Sequence, residues 1–124
     1  MNLGKKAVLV VEDEAELRQL FGLLLEAEQI EVFQAADGTE ALRLLEEKSE
    51  SIGLVVTDMN LPGIGGPEIM ARARLMVPGA KILAMSGYGG ANMISAAGSA
   101  DAFMSKPFDP IKAVATVKQL LGNT

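Results

Sequence analysis

Three carboxylates and two further polar groups stand where apolar runs of the sequence end. Glu12 and Asp13 follow Ala7-Val8-Leu9-Val10-Val11, and Asp58 follows Leu54-Val55-Val56-Thr57. Ser86 follows the run that ends at Met85, and Lys106 stands just before Pro107. Clustered carboxylates repel one another and shift each other's titration unless something compensates. A hard divalent cation with oxygen ligands compensates, and Mg²⁺ suits an open, partly hydrated carboxylate site. A hydroxyl and an ammonium facing that site are what the charged oxygens of a phosphoryl group require. Each residue also has a plainer reading. Glu12-Asp13-Glu14 reads as an acidic helix start, Asp58 as an ordinary strand-end aspartate, Ser86 as a turn residue and Lys106 as a solvated charge. The plain reading holds for Glu14. For the others it is the combination that carries weight.

Those positions matter only if the elements bring them together. Ala7 to Val11 lacks polar alternation and reads as a strand buried on both faces. Residues 14 to 28 follow as a helix with Leu17, Leu20, Phe21 and Leu24 on its apolar face. Ile30 to Gln34 reads as a strand, Gly38 to Glu47 as a helix presenting Ala41, Leu42 and Leu45, and Ile52 to Thr57 as a buried strand. Pro67 opens a third helix, with Ile69, Met70, Ala73 and Met76 inward, and Pro78 closes it. Ala80 to Met85 makes a fourth strand. A short helix over 91–97 and a brief strand from Ala102 to Met104 come next. Asp109 caps a last helix that starts at Pro110 and turns Ile111, Val114, Val117 and Leu121 inward. Such alternation implies a parallel sheet covered on both faces by helices, an α/β, doubly wound (βα)5 architecture. Taking the flavodoxin-like strand order 2-1-3-4-5, the winding reverses between strands one and three. Glu12, Asp13 and Asp58 then share a crevice beyond the strand ends.

The composition removes other chemistries. The chain has 124 residues, which suits a single domain spanning 1–124 with no output domain. Without cysteine or histidine it offers no disulfide, no thiol nucleophile, no usual zinc site and no phosphohistidine. A net charge of −5 with no basic stripe argues against direct nucleic-acid binding. No apolar run approaches the roughly 20 residues that span a bilayer, so membrane insertion is not expected and a cytoplasmic location is.

The residues now in view resemble the response-regulator receiver domains of two-component signalling, over nearly the whole chain. The matching segments are Val10-Val11-Glu12-Asp13-Glu14, Asp58-Met59-Asn60-Leu61-Pro62-Gly63, Met85-Ser86-Gly87-Tyr88 and Lys106-Pro107-Phe108. The resemblance implies that Asp58 is the phosphoacceptor, whose carboxylate becomes an acyl phosphate. It implies that Glu12, Asp13, Asp58 and the backbone carbonyl of Asn60 hold Mg²⁺. By the same resemblance Lys106 contacts the acids and then the phosphoryl oxygens, and Ser86 binds the phosphoryl group and couples it to the fold. Phe103 matches an aromatic switch position, although a phenylalanine on a short strand reads equally as core. Asn60 and Tyr88 match positions that tune loss of the phosphoryl group. The implied partners are a histidine kinase or histidine phosphotransfer protein and a downstream protein target. The implied output face is the surface of the fourth helix, fifth strand and last helix, on a monomer or a phosphorylation-dependent dimer. The chain would accept a phosphoryl group without being an enzyme, beyond slow autodephosphorylation.

Two departures stand out. Ile64-Gly65-Gly66 lacks the acidic residue common at this place, so the third helix loses a side-chain cap and its loop gains freedom. The stretch from Ser86 to Lys106 is about two residues shorter than usual and rich in glycine, which disfavours a long fourth helix. Two other functions remain open at this point. One is a haloacid-dehalogenase-like phosphatase, which would want an acid where Asn60 stands. The other is a receiver-like interaction module that is never phosphorylated.

Overall fold

The computed structural model describes residues 6–87 and 100–122. Along them run β1 (Ala7–Val11), α1 (Ala15–Ala27), β2 (Val32–Ala35), α2 (Gly38–Glu47), β3 (Ile52–Asp58), α3 (Gly66–Met76), β4 (Lys81–Ser86), β5 (Ala102–Ser105) and α4 (Pro110–Leu120). The helix expected over 91–97, and with it Tyr88, lies outside the described residues. Label α4 therefore denotes the last helix of the sequence reading.

The strands form one sheet in the order β2-β1-β3-β4-β5, and every pairing is parallel. The chain winds outward from β1 to β2, then reverses through β3, β4 and β5. This is the expected doubly wound order, and it makes β1 and β3 neighbours, with Val11 opposite Thr57. The carboxyl ends of both strands therefore open on the same side.

Helices cover both faces, so β1 and most of β3 and β4 are buried throughout. One cluster joins Leu9, Val55 and Ile82 to Leu45 of α2 and Ile69 of α3. The other joins Val10, Val56 and Leu83 to Phe21 of α1 and Val117 of α4. Inward alternation along each strand divides its side chains between the two clusters.

Several boundaries and faces differ from the sequence reading, each for a local reason. β2 starts at Val32 rather than Ile30, because α1 ends with Gln29 at φ 63. Ile30 N–H then donates back to the Leu25 carbonyl at 3.0 Å, a left-handed cap that occupies the first expected strand residues. β3, β4 and β5 each run one residue further than expected, because the ladder continues through Asp58 opposite Met85 and Ser86 opposite Ser105. On α1 the buried face is Phe21, Gly22 and Leu25. Leu20 is 43% exposed, since it lies about 100° around the helix from Phe21. On α4, Ala113 and Val117 face the sheet and Ile111 is 80% exposed, because positions two apart do not share a helix face. α3 starts at Gly66, with Pro67 in its first turn and Gly65 as an N-cap that makes no side-chain bond. No helix among the described residues is long and apolar enough to cross a membrane.

α2 shows the cap that α3 lacks. Asp37 Oδ1 accepts the Glu40 N–H at 2.8 Å, and Glu40 Oε1 accepts the Ala36 N–H at 2.8 Å. Asp37→Ala removes one acceptor from this reciprocal pair and should cost about 1 kcal/mol. Urea unfolding of the two proteins at equal m-value checks it.

Candidate functional site

Glu12, Asp13, Asp58, Asn60, Ser86 and Lys106 are delivered by the ends of β1, β3, β4 and β5, next to one another in the fold. Glu12 follows β1 and is fully buried; its N–H donates to the Ala35 carbonyl at 3.0 Å, which extends the ladder toward β2. Asp58, 4% exposed, is the last residue of β3. Burying two carboxylates side by side demands a counter-charge. Lys106 supplies it: Nζ lies 2.6 Å from Glu12 Oε1 and 2.5 Å from Asp58 Oδ2.

The lysine reaches them because the backbone after β5 is pinned. Its N–H donates to the Ser86 carbonyl at 2.8 Å. Burial acts to lower the Lys106 pKa, but its contacts with Asp58 and Glu12 outweigh burial and raise it above the ordinary 10.5. Lys106 is thus a cation at neutral pH. Glu12 shows the opposite balance. Burial raises its pKa above 4.5, with the Asp58 charge adding, and the Lys106 contact and the Glu14 N–H only partly offset this.

Lys106 donates a hydrogen bond to Asp58 Oδ2 and stands against Glu12 Oε1 as its ion-pair partner. Among the described residues this ammonium is the one group set against the buried Glu12 Oε1. The other Glu12 oxygen accepts the Glu14 N–H at 3.0 Å. Asp13 is exposed at the rim, and Glu12, Asp13 and Asp58 each present an oxygen within 4.8 Å of the others. An all-oxygen set of three acids fits a hard divalent cation.

Asn60 folds back over this group. Its N–H donates to Asp58 Oδ1 at 2.9 Å and its Nδ2 donates to Ser86 Oγ at 3.2 Å. The acceptor loop is thereby tied to the end of β4. Phe103, in β5, is half-buried against the cluster on the α2–α3 face and pairs with Ala84. A cleft of about 640 Å³ opens over the site, lined by Asp13, Asp58, Asn60 and Lys106 together with Leu17, Leu20, Phe108 and Pro110. The exposed Leu20 therefore has a place at the rim of this cleft.

Two residues of the site escaped the sequence reading. Arg18, on α1, donates to the Glu12 carbonyl at 2.9 Å and fixes the turn that carries the acids. Gly66 packs so closely that an added Cβ would fall 2.7 Å from both the Asp58 carbonyl oxygen and Met59 Cα. The glycine next to Pro67 was read as a loss of cap and a gain of freedom. Its main effect is to let α3 begin directly against the backbone of Asp58.

Comparison with known proteins agrees with this fold. The family model described as the response regulator receiver domain matches residues 8–118. The sensor kinase CckA of Brucella abortus (strain 2308) is 34% identical over 121 residues, which is 95% of this chain and 13% of that protein. Sporulation initiation phosphotransferase F of Bacillus subtilis (strain 168) is 33% identical over 104 residues, 82% of each chain. The chain thus spans a small part of the first relative and most of the second. A CheY-like receiver domain from Methanospirillum hungatei JF-1 superposes with a TM-score of 0.87 at 29% identity, covering 95% of this chain and 94% of that one.

Two outcomes follow from the packing and charge described. Gly66→Ala should destabilise the domain by about 1–3 kcal/mol, because backbone rather than a flexible side chain meets the new methyl; chemical denaturation measures it. A carboxyl with a raised folded pKa contributes stability that is complete below 4.5 and is lost as pH rises through the folded value. Glu12→Gln should therefore gain thermal stability over wild type progressively above pH 4.5 in EDTA. A difference that shrinks with rising pH would contradict the assignment.

Proposed function

The chain belongs to the response regulator receiver domain family, and from that premise we propose that it accepts a phosphoryl group on Asp58 from a histidine kinase or histidine phosphotransfer protein. The carrying observation is the buried Asp58 carboxylate, held between the Lys106 ammonium and the Asn60 N–H where it lines an open cleft. Family membership weighs against the haloacid-dehalogenase-like reading.

In the proposed reaction an oxygen of Asp58 attacks phosphorus. The bond from phosphorus to the donor nitrogen breaks, its electron pair leaves with the imidazole, and an acyl phosphate forms. Glu12, Asp13, Asp58 and the backbone carbonyl of Asn60 are the groups that would hold Mg²⁺. When bound, the ion offsets the negative charge of the acids and of the incoming phosphoryl oxygens. Lys106 gives up part of its hold on Asp58 and pairs with the phosphoryl oxygens, a second fixed positive charge. The Ser86 hydroxyl, whose oxygen accepts from Asn60 Nδ2, donates its own proton to the phosphoryl group.

Movement of Ser86 carries the signal. It draws the end of β4 toward the phosphoryl group, Phe103 turns in the same step, and the surface that β5 and α4 present is remodelled for a downstream protein. Differential contact with the phosphoryl group supplies the bias such an equilibrium needs. Asn60, with Tyr88, sets how long the acyl phosphate lasts. The reading places the chain in a cytoplasmic two-component pathway.

Incubation with Mg²⁺ and phosphoramidate or acetyl phosphate, followed by intact mass measurement, tests the core of this. One phosphoryl adduct should form, and it should be absent from Asp58→Asn and from samples held in EDTA. Steady release of phosphate without an adduct would indicate a phosphatase. An inert wild type would leave only an interaction module.

A further inference from the structure

Building on the phosphoacceptor reading, we infer that Asp101 and Arg74 are positioning residues for Lys106, which they place by fixing the register of β5. This strand is four residues long, sits at the edge of the sheet and has no fully buried side chain. Packing alone therefore specifies its register weakly. Yet register is what locates Lys106, the residue directly after β5. A slip of one residue would carry the lysine about 3.3 Å along the strand and turn it to the other face of the sheet. Contacts of 2.6 and 2.5 Å to Glu12 and Asp58 tolerate no such error.

A clasp stands just ahead of the strand. Asp101 N–H donates to the Ile82 carbonyl at 2.9 Å, and Asp101 Oδ2 accepts the Ile82 N–H at 2.8 Å. One residue thus engages both backbone groups of a single β4 residue, with a carboxylate oxygen standing where a ladder carbonyl would. Arg74, on α3, holds the same Oδ2 at 3.1 Å and also donates to the Ala80 carbonyl at 3.4 Å. Asp101 therefore cannot slide along β4 without breaking three contacts at once. The pairs that follow, from Ala102 opposite Leu83 to Ser105 opposite Ser86, inherit that setting. The far anchor is the bond from Lys106 N–H to the Ser86 carbonyl.

A side chain that only stabilised the fold would weaken every function of the site alike. One that acts through Lys106 should lose its effect when the ammonium is gone. The test is a double-mutant cycle on the rate of phosphoryl acceptance from phosphoramidate at saturating Mg²⁺, at a temperature where every variant is folded. Asp101→Ala should slow acceptance about tenfold. Its Mg²⁺ affinity should not fall, since the acids are delivered by β1 and β3 and a displaced Lys106 ammonium competes less for Glu12 and Asp58. Asp101→Asn, which keeps an acceptor for the Ile82 N–H, should recover most of the rate. In a Lys106→Ala background, Asp101→Ala should change the rate by less than about twofold. Losses that multiply in the double variant, or a parallel fall in Mg²⁺ affinity, would overturn the inference. If Asp101→Ala does not fold, Arg74→Gln enters the same cycle, with a slowing of about threefold expected. A wild type that takes no phosphoryl group defeats the phosphoacceptor reading instead. Hydrogen exchange then decides the register device: exchange at the Lys106 amide must quicken in Asp101→Ala, and unchanged exchange would refute it.

Discussion

Two carboxylates buried at the seam between β1 and β3 need a positive charge, and everything around them is arranged to provide one. Glu12 and Asp58 cannot both be ionised there without compensation. Lys106 compensates from the opposite side of the crevice, across β4. One ammonium serves both acids: it donates to Asp58 and stands against Glu12 Oε1 as its ion-pair partner. Burial dominates the titration of Glu12, while the ion pairs dominate that of Lys106.

The fold answers this demand through its winding. Reversal after β2 puts β1 beside β3, and a parallel sheet then opens both carboxyl ends on one side. Covering helices contribute more than a core. α1 contributes Arg18 to the turn that holds the acids, and α3 starts at Gly66 against the backbone of Asp58. The links between strand ends run through side chains that belong to the site itself, as when Asn60 bonds both Asp58 and Ser86. Displacement of any one of these groups is therefore felt by the next.

Edge position gives β5 a special status. It carries a residue that must be placed to within a fraction of an ångström, yet its own side chains are only half-buried or exposed. Precision is imported from its two ends, through Asp101 on Ile82 and Lys106 on Ser86.

The amino-acid order alone determined the alternation of elements, the fold class and the identity of the residues at the strand ends. Those signals are local: unbroken apolar runs, helical spacing, and polar groups at the points where the runs stop. It also identified Asp109 and the first turn of α4, because a capping side chain acts within three residues of itself. Distances were another matter. That Lys106 meets Glu12 and Asp58, that Asn60 reaches Ser86, and that Asp101 clasps Ile82 are contacts between residues remote in sequence. Each depends on register and strand order, which many sequences with the same periodicity leave open. The outward turn of Leu20 and Ile111 was hidden for a related reason. Both fit an apolar spacing, and only the direction of the neighbouring sheet decides which side of a helix becomes its inner face. Gly66 makes the same point in reverse: a missing side chain carries no signal until the backbone it must approach is in place.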